Sequence, residues 1–175
     1  DSSNSAALGY AEQSGLQLEH ALIRNHYVGR TFIQPTQAGR DAKVKVKYNA
    51  VREVLEGKSV VMVDDSIVRG TTTRGLVAML RSAGAREVHM RVSSPPITGP
   101  CYYGMDTPER EYLIAANMSI AEVGTAIGVD SLGYLTLEGM LGAVPGGPDG
   151  FCHACFSGQY PTQPPVDIKR YRARE

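Results

Sequence analysis

Ser59-Val60-Val61-Met62-Val63-Asp64-Asp65-Ser66-Ile67-Val68-Arg69-Gly70-Thr71-Thr72-Thr73 decides the fold. Its first half is a short apolar run rich in valine, the pattern of a strand buried in a parallel sheet. Its second half is a loop of glycine and hydroxyl residues. Behind the loop, Leu76, Val77, Met79 and Leu80 recur at helical spacing over residues 73–82, and Ala83-Gly84-Ala85 ends that helix. Glu87-Val88-His89-Met90-Arg91-Val92 then alternates as the next strand. Strand, helix and strand in so short a span form a βαβ unit. The expected class is α/β, a Rossmann-like parallel sheet with flanking helices.

On the N-terminal side, Asp1-Ser2-Ser3-Asn4 offers N-cap candidates for a helix carrying Ala7, Leu8, Ala11 and Leu16, with Gly15 as its C-cap. Residues 26–47 are polar and basic and contain Gly29, Pro35 and Gly39. They are expected to form a long mobile loop or a weak hairpin, and long loops in compact domains usually carry function. Ala50–Glu56 is expected as a short helix stopped by Gly57. On the C-terminal side, Ile120–Ile127 is expected as a helix and Ser131–Leu135 as a short strand. Gly142–Gly150 has the composition of a linker, and residues 151–175 form a tail with Cys152-His153-Ala154-Cys155 and a basic end. The expected division is residues 1–142 as one domain and 143–175 as linker and Cys-containing tail.

With 175 residues the chain can bury a core of its own. Lys plus Arg and Asp plus Glu number 18 each, so no global charge points to nucleic acid or a membrane surface. No apolar run reaches the roughly 18 residues of a membrane-spanning helix. No signal or transit segment is recognisable, and the odd, low count of 3 Cys fits a reducing cytosol. The chain begins without Met, as a fragment or processed chain would. The zero net charge hides a segregation. Arg24, Arg30, Arg40, Lys43, Lys45, Lys47, Arg52 and Lys58 make the N-terminal third basic, whereas residues 104–149 hold Arg110 as their one cation. A basic face of this kind suits an anionic small ligand or plain solvation.

Asp64 and Asp65 end the first strand, at the edge where open α/β sheets bind ligands. Backbone N–H groups and the hydroxyls of Ser66, Thr71 and Thr72 around Gly70 can cradle a phosphate at the start of the following helix. Carboxylates cannot bind that phosphate, but they suit sugar hydroxyls or a hard cation such as Mg²⁺. A phosphorylated sugar satisfies both halves. Two acids at the end of an apolar strand repel each other and need a partner. Neither G-x-x-x-x-G-K-[ST] nor G-x-G-x-x-G is present. A receiver-domain acidic pair would need a later strand with an acceptor Asp and then a Lys. Asp106 follows Tyr103-Gly104-Met105, and no Lys lies between Lys58 and Lys169.

Residues 60–72 resemble the binding motif of the type I phosphoribosyltransferases, which use phosphoribosyl pyrophosphate (PRPP). Residues 27–35, 93–97, 100–106 and 152–161 are, in addition, similar to the amidophosphoribosyltransferase family, and the resemblance runs from residue 1 to about residue 165. It implies transfer of glutamine-derived ammonia to C1 of PRPP, giving 5-phosphoribosylamine and pyrophosphate, in the first committed step of purine synthesis. It implies PRPP contacts at Asp64, Asp65, Ser66, Ile67, Val68, Arg69, Gly70, Thr71 and Thr72. Mg²⁺ would be held by Asp64, Asp65 and Ser2. Arg30 and Lys47 would be the catalytic cations, although Lys47-Tyr48-Asn49 has Tyr where the family has Leu. The family's N-terminal glutaminase, with its N-terminal Cys, and the earliest strands of the phosphoribosyltransferase fold are expected to lie outside the residues given. The chain alone is therefore expected to be inactive.

One branch of the family has Cys at the places of Cys101, Cys152 and Cys155, which implies a [4Fe–4S] cluster whose fourth Cys lies upstream. Three structural thiols, or zinc with His153, are the alternatives. A cytoplasmic homo-oligomer, free of nucleic acid and membrane, is expected. A non-catalytic PRPP-sensing regulator and a nucleobase phosphoribosyltransferase compete with this reading. The first lacks a DNA-binding segment here, and the second would lack the Cys-containing tail.

Overall fold

The computed structural model describes residues 2–25, 27 and 48–164. Helix α1 (Asn4–Ser14) ends at Gly15, whose φ of 71° closes it in the left-handed region. Strands β1 (Leu22–Arg24) and β2 (Tyr48–Ala50) pair antiparallel, with Arg24 opposite Tyr48. After α2 (Arg52–Leu55) come β3 (Ser59–Asp64), α3 (Thr71–Ser82) and β4 (Glu87–Val92). A 3₁₀ turn (Arg110–Tyr112) and α4 (Ile114–Asn117) lead into α5 (Ile120–Ile127) and β5 (Ser131–Tyr134). Helix α6 (Leu137–Gly142), a second 3₁₀ turn (Gly147–Gly150) and α7 (Ala154–Ser157) complete the described chain.

Strands β3, β4 and β5 form a parallel sheet in that order. Asp64 stands opposite Val92, and Val92 opposite Tyr134, so these three residues mark its carboxyl edge. The alternation of β4 separates two faces. Val88, Met90 and Val92 are buried with Leu76, Val77 and Leu80 of α3 and Val123 and Ile127 of α5. His89, on the other face, reaches Ser131 Oγ at 2.9 Å and Ser59 Oγ at 3.2 Å. Ser119 and Glu122 close a reciprocal capping box at the start of α5.

The βαβ unit and the helix at Ile120–Ile127 stand where the sequence places them. Helix α3 begins at Thr71 rather than residue 73, because Gly70, at φ 73°, turns the chain directly into it. The expected loop or hairpin over residues 26–47 lies outside the described residues except for Tyr27, but its flanks are tied together by β1 and β2. The span read as a linker holds the end of α6 and a 3₁₀ turn started by Gly146 and Gly147, both at positive φ. Among the described residues no helix is long and apolar enough to cross a membrane.

Candidate active site

The start of α1 meets the end of β3. Ser3 occupies the N-cap position of α1 but makes no capping bond. Its hydroxyl donates instead to Asp64 Oδ1 at 2.8 Å, and Ser2 donates to Asp65 Oδ2. The Asp65 N–H donates to Asp64 Oδ1 at 2.9 Å, and Ser66 Oγ to Asp65 Oδ1 at 2.9 Å. The strand end is held from β4 by the Ser93 N–H, which donates to the Asp64 carbonyl at 2.9 Å.

Burial pushes the Asp64 carboxyl above the ordinary aspartate range. The Ser3 hydroxyl and the Asp65 N–H pull it back, and the Asp65 charge adds to the rise. Two acids with four oxygens, surrounded by hydroxyls, form a hard oxygen donor set. That chemistry suits sugar hydroxyls and Mg²⁺.

The loop after Asp65 is anchored rather than free. Ile67 is 1 % exposed and acts as its plug. The Val68 carbonyl accepts from the Ile114 N–H at 2.9 Å, and the Arg69 guanidinium carbon lies 5.5 Å from the centre of the Tyr112 ring. Gly70 is required on two counts. Its φ is 73°, and a Cβ there would stand 2.8 Å from Ile114 Cδ1. No side chain caps the start of α3. Its first N–H groups and positive dipole end can therefore serve an anion.

The residues foreseen from sequence thus fall into groups. Ser2, Asp64, Asp65 and Ser66 come together, and Gly70, Thr71 and Thr72 open α3. Ile67 is buried, and Val68 and Arg69 are engaged by the segment after Glu109. Arg30 and Lys47 lie outside the described residues. Ser3 was legible only as a helix cap, and Tyr112 and Ile114 gave no signal at all.

The tail docks on the segment after Pro96. The N–H groups of Thr98 and Gly99 donate to the Cys155 carbonyl at 3.0 and 2.9 Å, and Tyr160 Oη donates to the Pro100 carbonyl at 2.8 Å. Ala154 is buried beneath this contact. Cys101 and Cys155 are half-buried and Cys152 is exposed, all as free thiols. The Cys155 thiol is pushed up first by burial, then by Cys101 and less by Cys152, so the three share one neighbourhood. Cys101 Sγ accepts the Tyr103 N–H at 3.4 Å, the kind of backbone bond that supports a thiolate ligand. Among the described residues no group of three His, Cys, Asp or Glu is placed to hold a single metal ion. His153 Nδ1 is engaged with Ser157 Oγ at 2.9 Å. A cluster of several irons is wider than one ion and takes four thiolates, of which these three free thiols could provide three.

No family profile matches the chain. Whole-sequence similarity is high. The amidophosphoribosyltransferase of Bacillus subtilis is 57 % identical over 167 residues, covering 93 % of this chain and 35 % of that protein. The Synechococcus elongatus amidophosphoribosyltransferase is 54 % identical over 170 residues, covering 97 % of this chain and 34 % of its own length. Among solved structures, the glutamine PRPP amidotransferase from B. subtilis complexed with ADP and GMP superposes with a TM-score of 0.81 at 56 % identity. It covers 93 % of this chain and 37 % of that one. A structure described as the allosteric regulatory enzyme of purine biosynthesis gives 0.80 at 55 % identity, covering 93 % and 36 %. The chain therefore spans about a third of the length of its curated relatives, and its fold is the later part of their phosphoribosyltransferase domain.

Proposed function

Because this chain belongs to the amidophosphoribosyltransferase family over the third of those proteins that it spans, we propose that it carries their PRPP site. The observation that carries this is the carboxylate pair at the end of β3, followed by an anchored loop that runs into the uncapped start of α3. Asp64 and Asp65 accept from the ribose hydroxyls, and the loop from Ser66 to Thr72 receives the 5′-phosphate on N–H groups and hydroxyls. The oxygen donors of Asp64, Asp65 and Ser2 suit Mg²⁺, which when bound supplies positive charge against pyrophosphate.

In the reaction, the C1–O bond to pyrophosphate breaks and its electron pair leaves with that group. The ammonia lone pair forms the C1–N bond, and a proton passes from nitrogen to solvent, giving 5-phosphoribosylamine. Ammonia is already a nucleophile, so no residue has to act as its base. Arg30 and Lys47 supply cationic charge to the departing pyrophosphate. Exclusion of water protects C1 from hydrolysis.

Glutamine-derived ammonia comes from a glutaminase domain, and the whole protein acts in the first step of purine synthesis. Cys101, Cys152 and Cys155 would provide three of the four thiolates of a [4Fe–4S] cluster, which when bound would fasten the tail to the segment around Cys101. Residues 1–142 form the later part of the phosphoribosyltransferase domain, in a cytoplasmic homo-oligomer. The deciding experiment is ammonia-dependent pyrophosphate release by the complete protein. Asp65→Asn is expected to lower it by about 2–4 kcal/mol in transition-state terms, a factor of roughly 30 to 1,000. Near-normal release with Asp65→Asn would exclude this site.

A further inference from the structure

Each of three consecutive loop residues is held by one short stretch of chain. The Ile114 N–H bonds the Val68 carbonyl at 2.9 Å, the Tyr112 ring lies against the Arg69 guanidinium, and Ile114 Cδ1 fills the space beside Gly70. We propose that the segment Arg110–Asn117 is a positioning clamp for the phosphate loop, and that Asn117 sets its shape. The proposal rests on the reading of Ser66–Thr72 as the 5′-phosphate cradle.

Asn117 is the reason the segment can do this. A 3-residue 3₁₀ turn and a 4-residue helix are too short to sustain themselves. The segment has two anchors instead. Leu113 is fully buried, and the Asn117 side-chain amide donates to three carbonyls: Arg110 at 3.2 Å, Glu111 at 3.1 Å and Leu113 at 2.8 Å. Those carbonyls flank Tyr112 and lead into Ile114, the two residues that touch the loop. The coupling also runs backwards. The Ile114 N–H lies at the start of a helix and has no partner within it, and the Val68 carbonyl supplies one. A phosphate cradle built from backbone N–H groups tolerates only sub-ångström error, so whatever fixes residues 68–70 fixes affinity.

The 5′-phosphate is remote from C1, so a displaced cradle removes binding common to ground and transition states. KM for PRPP then rises while kcat changes little. In the complete enzyme, with ammonia as nitrogen donor, Asn117→Asp keeps the side-chain shape and removes both donated hydrogens. It is expected to raise KM for PRPP roughly tenfold and leave kcat within about threefold. Ribose 5-phosphate should inhibit less well in parallel, with inhibition by pyrophosphate unchanged.

Tyr112 is 55 % exposed and can be altered without emptying the core. Tyr112→Ala should shift KM in the same direction, and Tyr112→Phe, which keeps the ring, should restore it. If Asn117→Asp does not fold, the Tyr112 pair decides alone. An unchanged KM, or an equal loss in kcat and in both inhibitors, overturns the clamp. Asp65→Asn is the control that separates the two readings. A crippled Asp65→Asn beside normal clamp variants refutes the clamp alone, whereas a normal Asp65→Asn refutes the cradle and the clamp with it.

Discussion

Asp64 is held where its charge is unwelcome, because burial raises its proton affinity and Asp65 raises it further. The sign follows from linkage. A carboxyl whose folded pKa lies above its unfolded value contributes stability that is full below the unfolded pKa. That contribution is lost as pH rises through the folded one. At neutral pH, then, the ionised Asp64 weakens the empty protein. Asp64→Asn keeps an acceptor for Ser3 and Asp65, so it should raise the melting temperature of the ligand-free, chelator-treated protein at pH 7. The gain should vanish near the unfolded aspartate value of about 4, and PRPP binding should be lost with the charge. A gain independent of pH would contradict this account. Gly70 is the second residue with a definite expectation. Gly70→Ala meets the left-handed penalty of about 1–2 kcal/mol, and Ile114 must also yield. Urea denaturation should show that loss, and calorimetric titration should show weaker PRPP binding.

Helix α7 and the residues after it are held to the segment after Pro96 by several contacts, of which the one at Gly99 can be tested by itself. A Cβ at Gly99 would collide with the Tyr160 hydroxyl, which is bonded to the Pro100 carbonyl. Gly99→Ala should loosen the tail, and limited proteolysis between residues 157 and 162 should quicken while the sheet stays protected. Cleavage at an unchanged rate would show that the contact does not hold the tail. The elements differ in how far the sequence reveals them. Strands β3 and β4 and helices α3 and α5 were legible because each carries its own apolar period over several residues. The carboxylate pair and its loop were legible for the same reason, being one uninterrupted motif. The pairing of Ser3 with Asp64 spans 61 positions, and nothing local distinguishes that serine from an ordinary helix cap. The segment Arg110–Asn117 was invisible because elements of three and four residues have no period to read. Across Gly142–Gly150 the glycine content also builds a turn, with Gly146 and Gly147 at positive φ, a detail that composition alone does not reveal.

At the scale of the whole molecule, two of the attachments between distant parts of the sequence bear on function: α1 against the carboxyl edge of β3, and the tail against residues 98–103. The second brings Cys101 to the neighbourhood of Cys152 and Cys155. The complete protein purified without oxygen should be brown, with about four irons per chain. Cys155→Ser should remove the colour, and a colourless, iron-free, fully active preparation would return the cysteines to plain packing. One further consequence lies in the order of the sheet. Among the described residues the strand that presents the carboxylates, β3, is hydrogen-bonded to β4 alone. Its valine-rich run has the composition that stacks edge to edge wherever such a strand is left uncovered. The run that builds the site is therefore also the one most prone to nucleate aggregates when the chain stands alone. The charges of Asp64 and Asp65 act as its gatekeepers, and neutralising them trades solubility for the stability that Asp64→Asn gains.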